Sequence, residues 1–273
     1  MRKAAVLGAP VGHSLSPVLH RAAYAGLGLD WSYEAIECDE QRLPHLLRAL
    51  DDSWAGLSLT MPLKRAVLSL LDEVSELAHA VGGANTVVRD GARLRGDNTD
   101  VGGMLDAMGE QRVAAVRSAV VLGAGATACS TLAALRELAV RDVALVVRDP
   151  ARTADVRAAA DRLGTTVRLH PFADLPELLP TELVVSTLPS GAADRIADSV
   201  AAQPPEMVFD VCYDPWPTPL AAAAASAGSA VAGGFDLLLH QAVRQVTLMT
   251  GCTYVPVDEM RAAGEGALFA RRG

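Results

Sequence analysis

Short apolar runs alternate with longer stretches of helical periodicity from the first residues onward. AAVLG (4–8), YEAIEC (33–38) and GLSLT (56–60) are separated by PVLHRAAYAGLGL (17–29) and RLPHLLRAL (42–50). Strand and helix in strict alternation predict parallel β-α-β units, because a parallel neighbour is reached only through a crossover. ANTVVRDGARLRG (84–96) breaks the pattern: two β-rich runs meet at Asp90-Gly91, which predicts a hairpin. From residue 120 the alternation resumes, with strands expected at VVLGAG, VALVV, TVRL, ELVVSTL and MVFDVCY between alanine-rich helices, Ala221–Ala225 among them. After Gly234, FDLLLHQAVRQVTLMTG keeps a helical apolar period up to a glycine stop at Gly251, with polar Gln241 among apolar neighbours. The chain is therefore expected to be α/β and divided: an N-terminal α/β domain over 1–100, rejoined by C-terminal helices over 235–273, and a Rossmann-type domain over 101–234.

The sharpest local signal is SAVVLGAGATA (118–128), an apolar run feeding a G-x-G-x-x-A loop of Gly123, Gly125 and Ala128 that opens a helical segment. Small residues there let backbone N–H groups and the helix N-terminus approach a pyrophosphate. Ahead of the loop lie the polar clusters SLSP, TMPLK, GGANT and GDNTD, so a cofactor domain is expected to follow one equipped for a substrate.

Length and composition fit that division. A chain of 273 residues with 51% apolar content fills two cores. A net charge of −8 argues against a nucleic-acid partner, since phosphate binding needs a basic face. Cys38, Cys129, Cys212 and Cys252 stand apart without metal-ligand spacing, so reduced thiols and no metal are expected. MRKAAVLGAP resembles a first strand more than a signal peptide, and no stretch of spanning length is free of charge. No membrane partner and a cytoplasmic location are expected.

Candidate chemistry sits in the polar clusters. Lys64 stands in T-M-P-L-K at a strand end, with Pro62 suited to the first position of a new helix. One reading is a solvated lysine in a first helical turn, although a cation gains nothing from a helix N-terminus. Asp100 ends GDNTD and begins another helical segment, where Asn98 or Thr99 is able to cap while Asp100 faces a cleft. Lysine and aspartate within hydrogen-bonding distance form a proton-transfer unit, the carboxylate orienting the ammonium. Ser14 and Ser16 flank Leu15 ahead of Pro17, and in an extended loop both hydroxyls project to one side. That pair reads equally as a carboxylate site and as an N-cap followed by proline at the first helical position. Tyr213, in DVCYDPWPTPL, reads by itself as part of a rigid, proline-fixed loop. Beyond VALVV come Arg148, Asp149, Pro150 and Arg152. Arginine at this strand end suits a 2′-phosphate and an acid suits ribose hydroxyls, so Arg148 points to NADP while Asp149 keeps NAD open unless it caps the next helix.

These motifs, in this order, resemble the shikimate dehydrogenase family nearly end to end. GAPVGHSLSPVLH, LTMPLK, GGANTV, GDNTDVGG, the glycine loop, DVCYDPWPTPL and GGFDLLLHQA each match a family segment. The resemblance implies Lys64 and Asp100 as the catalytic pair, Ser14, Ser16 and Tyr213 on a substrate carboxylate, and Thr60, Asn85 and Gln241 on ring hydroxyls. It places Gly123, Ala124, Gly125, Ala126, Thr127, Arg148, Arg152, Thr187 and Gly234 along NADP. Some positions depart from the pattern: Ala126 stands where many members have glycine, Val147-Arg148-Asp149 replaces asparagine-arginine-threonine, Ser186-Thr187-Leu188-Pro189 replaces N-A-T-S, and Leu237 replaces a methionine. The implied activity is the reversible NADPH-dependent reduction of 3-dehydroshikimate to shikimate in a cleft between the domains, by a monomer or homodimer. Gly102-Gly103 and Gly233-Gly234 would be its hinges. The alternatives are an NAD-preferring quinate/shikimate dehydrogenase, a folate-linked dehydrogenase, disfavoured by the S-x-S and N-T-D clusters, and a nicotinamide-binding regulator without turnover, disfavoured by the intact lysine and aspartate.

Overall fold

The computed structural model describes residues 1–111 and 116–271, and its chain divides into two units, Met1–Gly103 with Leu238–Gly273, and Met104–Leu237. In the first, β1 (Arg2–Gly8), α1 (Ser16–Gly26), β2 (Trp31–Glu37), α2 (Leu43–Arg48), β3 (Trp54–Leu59), α3 (Leu63–Ala66), β4 (Glu73–Val74), α4 (Glu76–Val81), β5 (Thr86–Asp90) and β6 (Arg93–Asp97) lead into α5 (Asp100–Glu110). Their sheet has the order β2-β1-β3-β5-β6-β4. β1 pairs in parallel with β2 and β3, as the alternating pattern predicts. Both β1 and β3 bury five consecutive residues, the near-continuous run of strands covered on both faces. The expected hairpin is β5–β6, but Asp90 pairs with Arg93, so the two-residue loop is Gly91-Ala92, one position later than the sequence indicates. β4 is too short for any periodicity to mark it.

The second unit continues with β7 (Ala119–Leu122), α6 (Ala126–Glu137), β8 (Asp142–Val146), α7 (Ala154–Leu163), β9 (Thr166–His170), α8 (Leu175–Leu178), β10 (Leu183–Ser186), α9 (Ala197–Ala202), β11 (Met207–Asp210), α10 (Pro219–Ser226) and β12 (Ala230–Gly233). All six strands are parallel, in the order β12-β11-β10-β7-β8-β9. Counted from β7, this is the 3-2-1-4-5-6 order of dinucleotide-binding sheets, and the order reverses between β7 and β10, where ligands bind at the strands' carboxyl ends. Val120, Leu122, Val184, Val208 and Leu220 fill the core on one face. β12 was not expected, since SAVAGG has little β-propensity of its own and is held by pairing with β11.

α11 (Gly234–Thr250) ends at Gly251, whose φ of 75° takes the left-handed conformation that stops a helix. α12 (Val257–Ala270) packs on α1. No helix among the described residues is long and apolar enough to cross a membrane, and the four cysteines are free thiols.

A fully buried His20 lies in α1, stacked on Tyr33 with ring centroids 4.0 Å apart, its Nδ1 donating to the Ser16 carbonyl at 2.9 Å. Burial pushes its pKa down from 6.5 to about 4. The native state therefore keeps His20 neutral where the unfolded chain already binds a proton. Its contribution is complete above pH 6.5 and is lost as pH falls from there toward 4. Urea unfolding should show roughly 3 kcal/mol of acid destabilisation from this group between about pH 7 and pH 4. His20→Phe keeps the ring stacking and should flatten the pH dependence by that amount; an unchanged slope would show that His20 is not responsible.

Candidate active site

Lys64 is held by a turn that backbone bonds fix beside the carboxyl ends of β1 and β3. Thr60 N–H donates to the Leu7 carbonyl at 2.9 Å, Ala9 N–H to Met61 at 3.0 Å, and Leu63 N–H to Thr60 at 2.8 Å. Pro62 occupies the position before α3, and not the first helical position expected of it, because the helix begins at Leu63. Lys64 is in the first turn, but it is not a solvated lysine. Its Nζ donates to Asp100 Oδ2 at 2.6 Å, with side-chain exposures of 18% and 8%. Asp100 opens α5, and Asn98 does the capping: its Oδ1 accepts from the N–H groups of Asp100 at 3.1 Å and Val101 at 3.4 Å. That division of labour releases the Asp100 carboxylate for Lys64.

The second oxygen of Asp100 is taken by Asn85. Asn85 Nδ2 donates to Asp100 Oδ1 at 2.8 Å and lies 3.4 Å from Gln241 Oε1, while Asn85 Oδ1 accepts from Thr86 Oγ1 at 2.9 Å and Thr99 N–H at 2.8 Å. Lys64, Asn85, Asp100 and Gln241 thus form one polar cluster. α11 reaches it because α5 carries no side chain at Gly103, where a Cβ would lie 2.6 Å from Gln241 N. Gly102 likewise faces the Arg244 guanidinium. These two glycines, expected as a hinge, lie inside a helix and serve close packing. Gln245 joins the same cluster, a residue not singled out from the sequence; its signal is that it sits four positions beyond Gln241, on the same helical face.

Thr60 packs against Gly8, where a Cβ would meet its Cγ2. Ser14 and Ser16 are not in an extended loop. Leu15 is helical (φ −85°, ψ −8°) and is itself the N-cap, Pro17 is the second helical residue, and Ser14 Oγ accepts from Ser16 N–H at 3.2 Å. Neither serine therefore caps α1, because the chain turns into the helix one residue early.

In the second unit, a cavity of about 620 Å³ is lined by Gly123, Ala124, Gly125, Arg148 and Arg152. Gly123 has φ 102°, and a Cβ there would lie 2.6 Å from Thr187 Oγ1, so only glycine fits. α6 starts at Ala126 with no side-chain cap, its N–H groups left to a ligand. Thr127 follows in that first turn, and Thr187 Oγ1 donates to the Leu122 carbonyl at 2.8 Å. Glycine, helix N-terminus and arginines together fit a dinucleotide phosphate. Asp149 Oδ1 accepts from Ala151 N–H at 2.9 Å, the capping bond foreseen for it. The cavity also has Arg195 over the Phe172 ring at 4.2 Å, a pair that sequence distance hides. Gly234 packs its α-carbon against the Val211 carbonyl. Tyr213 lies in the loop after β11, tied down by Asp210, whose Oδ2 accepts from Thr218 Oγ1 at 2.7 Å and Oδ1 from Cys212 N–H at 3.3 Å. Thr218 in turn caps α10. Burial pushes the Asp210 carboxyl above the usual carboxylate range.

A chain with this strand order and glycine loop in one unit, and a half-buried lysine–carboxylate pair in the other, falls in the class of two-unit α/β oxidoreductases. Residues 6–87 match the profile described as the shikimate dehydrogenase substrate binding domain. Over 96% of its length the chain is 35% identical to the shikimate dehydrogenase (NADP(+)) of Oleidesulfovibrio alaskensis, covering 94% of that protein. It belongs to the shikimate dehydrogenase family. The solved structure of Mycobacterium tuberculosis shikimate dehydrogenase is similar across 97% of this chain and 100% of its own, with 41% identity and a TM-score of 0.89. The Thermus thermophilus enzyme, solved in complex with NADP(H) and shikimate, covers 98% and 100% at 33% identity with a TM-score of 0.85.

Proposed function

We propose that the chain catalyses the reversible NADPH-dependent reduction of 3-dehydroshikimate to shikimate. Met1–Gly103 with Leu238–Gly273 would be the substrate-binding and catalytic unit and Met104–Leu237 the NADP-binding one. The observation that carries the reading is the 2.6 Å contact between Lys64 and Asp100, in a cluster with Asn85 and Gln241. A ketone accepting hydride develops charge on its oxygen, so a cation and proton donor there lower the barrier. Lys64 Nζ supplies both, and Asp100 holds it in place and accepts from a substrate hydroxyl. Thr60, Asn85 and Gln241 bind ring hydroxyls; Ser14, Ser16 and Tyr213 bind the carboxylate. When bound, the nicotinamide supplies the hydride. The protein works as a monomer or homodimer in the cytoplasm. An absorbance assay at the nicotinamide wavelength, run with shikimate and quinate against NADP and NAD, tests the reading; higher kcat/KM on quinate with NAD would replace it with a quinate/shikimate dehydrogenase.

Arg148 and Arg152 would hold the 2′-phosphate. Asp149 does not oppose them, because its carboxylate is engaged in capping Pro150–Arg152. Arg148→Ala should raise KM for NADPH by the equivalent of roughly 1.5–3 kcal/mol and leave KM for NADH nearly unchanged. Equal weakening of both cofactors would move the discrimination elsewhere.

A further inference from the structure

Six buried side chains form a single directed series of hydrogen bonds that ends on Asp100. Tyr33 Oη donates to Ser58 Oγ at 2.6 Å, and Ser58 Oγ donates to Gln245 Oε1 at 2.8 Å. Gln245 Nε2 donates to Thr86 Oγ1 at 3.1 Å, Thr86 Oγ1 to Asn85 Oδ1 at 2.9 Å, and Asn85 Nδ2 to Asp100 Oδ1 at 2.8 Å. The second N–H of Gln245 is also used, donating to the Asn85 carbonyl at 3.1 Å.

The direction of this series follows from its end. A carboxylate only accepts, so Asn85 must present its nitrogen to Asp100 and keep its oxygen for donors. Thr86 must then donate to that oxygen, which leaves its lone pair to Gln245 Nε2. Gln245 Oε1 must in turn accept from Ser58, and Ser58 from Tyr33. Reversing either amide would set two acceptors, or two donors, against each other among buried side chains, where such a mismatch is costly. Thr99 N–H donates to the same Asn85 oxygen at 2.8 Å, so Thr86 and Gln245 reinforce from the sheet and α11 an orientation that the local backbone also favours.

We propose that Gln245 and Thr86 are positioning residues, which lock the Asn85 amide with its nitrogen toward Asp100 and so fix the carboxylate face presented to Lys64. The inference rests on the Lys64–Asp100 reading above. Gln245 does this from α11, bridging β3 through Ser58 and β5 through Thr86, so packing beyond the local turn adds to the hold of Thr99 N–H on the amide.

The test uses variants of matched shape in the full-length enzyme. Thr86→Val and Gln245→Met should each lower kcat/KM for shikimate by about 5- to 30-fold, the size of one or two net hydrogen bonds. NADPH affinity, read by fluorescence titration, should not change. Thr86→Ser keeps the hydroxyl and should recover most of the loss. In an Asn85→Ala background the Thr86→Val penalty should vanish, because there is no amide left to orient. Wild-type kcat/KM for Thr86→Val, or an equal penalty in the Asn85→Ala background, overturns the proposal and leaves the series as structural packing. If Gln245→Met does not fold, the Val and Ser variants at Thr86 decide alone. A Lys64→Ala enzyme with normal turnover would instead overturn the underlying reading.

Discussion

Lys64→Ala should lower kcat by roughly 10²–10⁴, the range for losing a general acid/base, while NADPH binding stays as it is. Lys64 Nζ is the one cation bonded to the Asp100 carboxylate in the described cluster, at 2.6 Å, and the turn that carries it is fixed by backbone bonds from Thr60, Ala9 and Leu63. Truncation removes charge and proton donor together but leaves that turn intact, because none of its bonds involves the lysine side chain. Stopped-flow or steady-state turnover measures the loss, and NADPH fluorescence supplies the control. A variant that turns over at near the wild-type rate would remove Lys64 from the chemistry. Lys64→Arg is informative beside it: the guanidinium keeps the charge but gives up its proton far less readily, so charge alone should restore only part of the rate.

The sequence made the strand and helix alternation legible because parallel strands buried on both faces, such as β1 and β7, leave uninterrupted apolar runs. It made Lys64 and Asp100 legible as candidates, but not their meeting, since a contact spanning 36 positions depends on how β3, β5 and β6 are ordered in the sheet. Where local rules compete, spacing decided less. Ser14-Leu15-Ser16 reads as an extended serine pair, yet Leu15 has already entered the helical region, because the helix begins at Ser16 and not at Pro17. Gln245 carries no signal of its own, because a polar residue in a mostly apolar helix reads as solvent-facing until its partners are known; here it is 1% exposed and bonds Ser58 on β3, Thr86 on β5 and the Asn85 carbonyl just ahead of β5. Phe172 and Arg195 were missed for the same reason: a ring and a cation 23 positions apart carry no periodic signal.

Asp100→Asn should be nearly as damaging as loss of the lysine, about 10²–10³ in kcat, although the side chain keeps its shape. Both carboxylate oxygens accept: Oδ2 from Lys64 Nζ at 2.6 Å and Oδ1 from Asn85 Nδ2 at 2.8 Å. An amide has one acceptor. If it faces Lys64, its NH₂ meets the NH₂ of Asn85; if it faces Asn85, its NH₂ meets the ammonium. Asn85 offers no escape by turning over, because its oxygen already accepts from Thr86 Oγ1 and Thr99 N–H. The expected structural consequence is a displaced Lys64, so the variant should behave kinetically like Lys64→Ala. Combining the two substitutions should then cost little more than either alone, since residues acting as a unit are non-additive. A double variant whose loss is the product of the single losses would mean that lysine and aspartate act on the substrate independently, and the pair would no longer be the unit on which the chemistry turns.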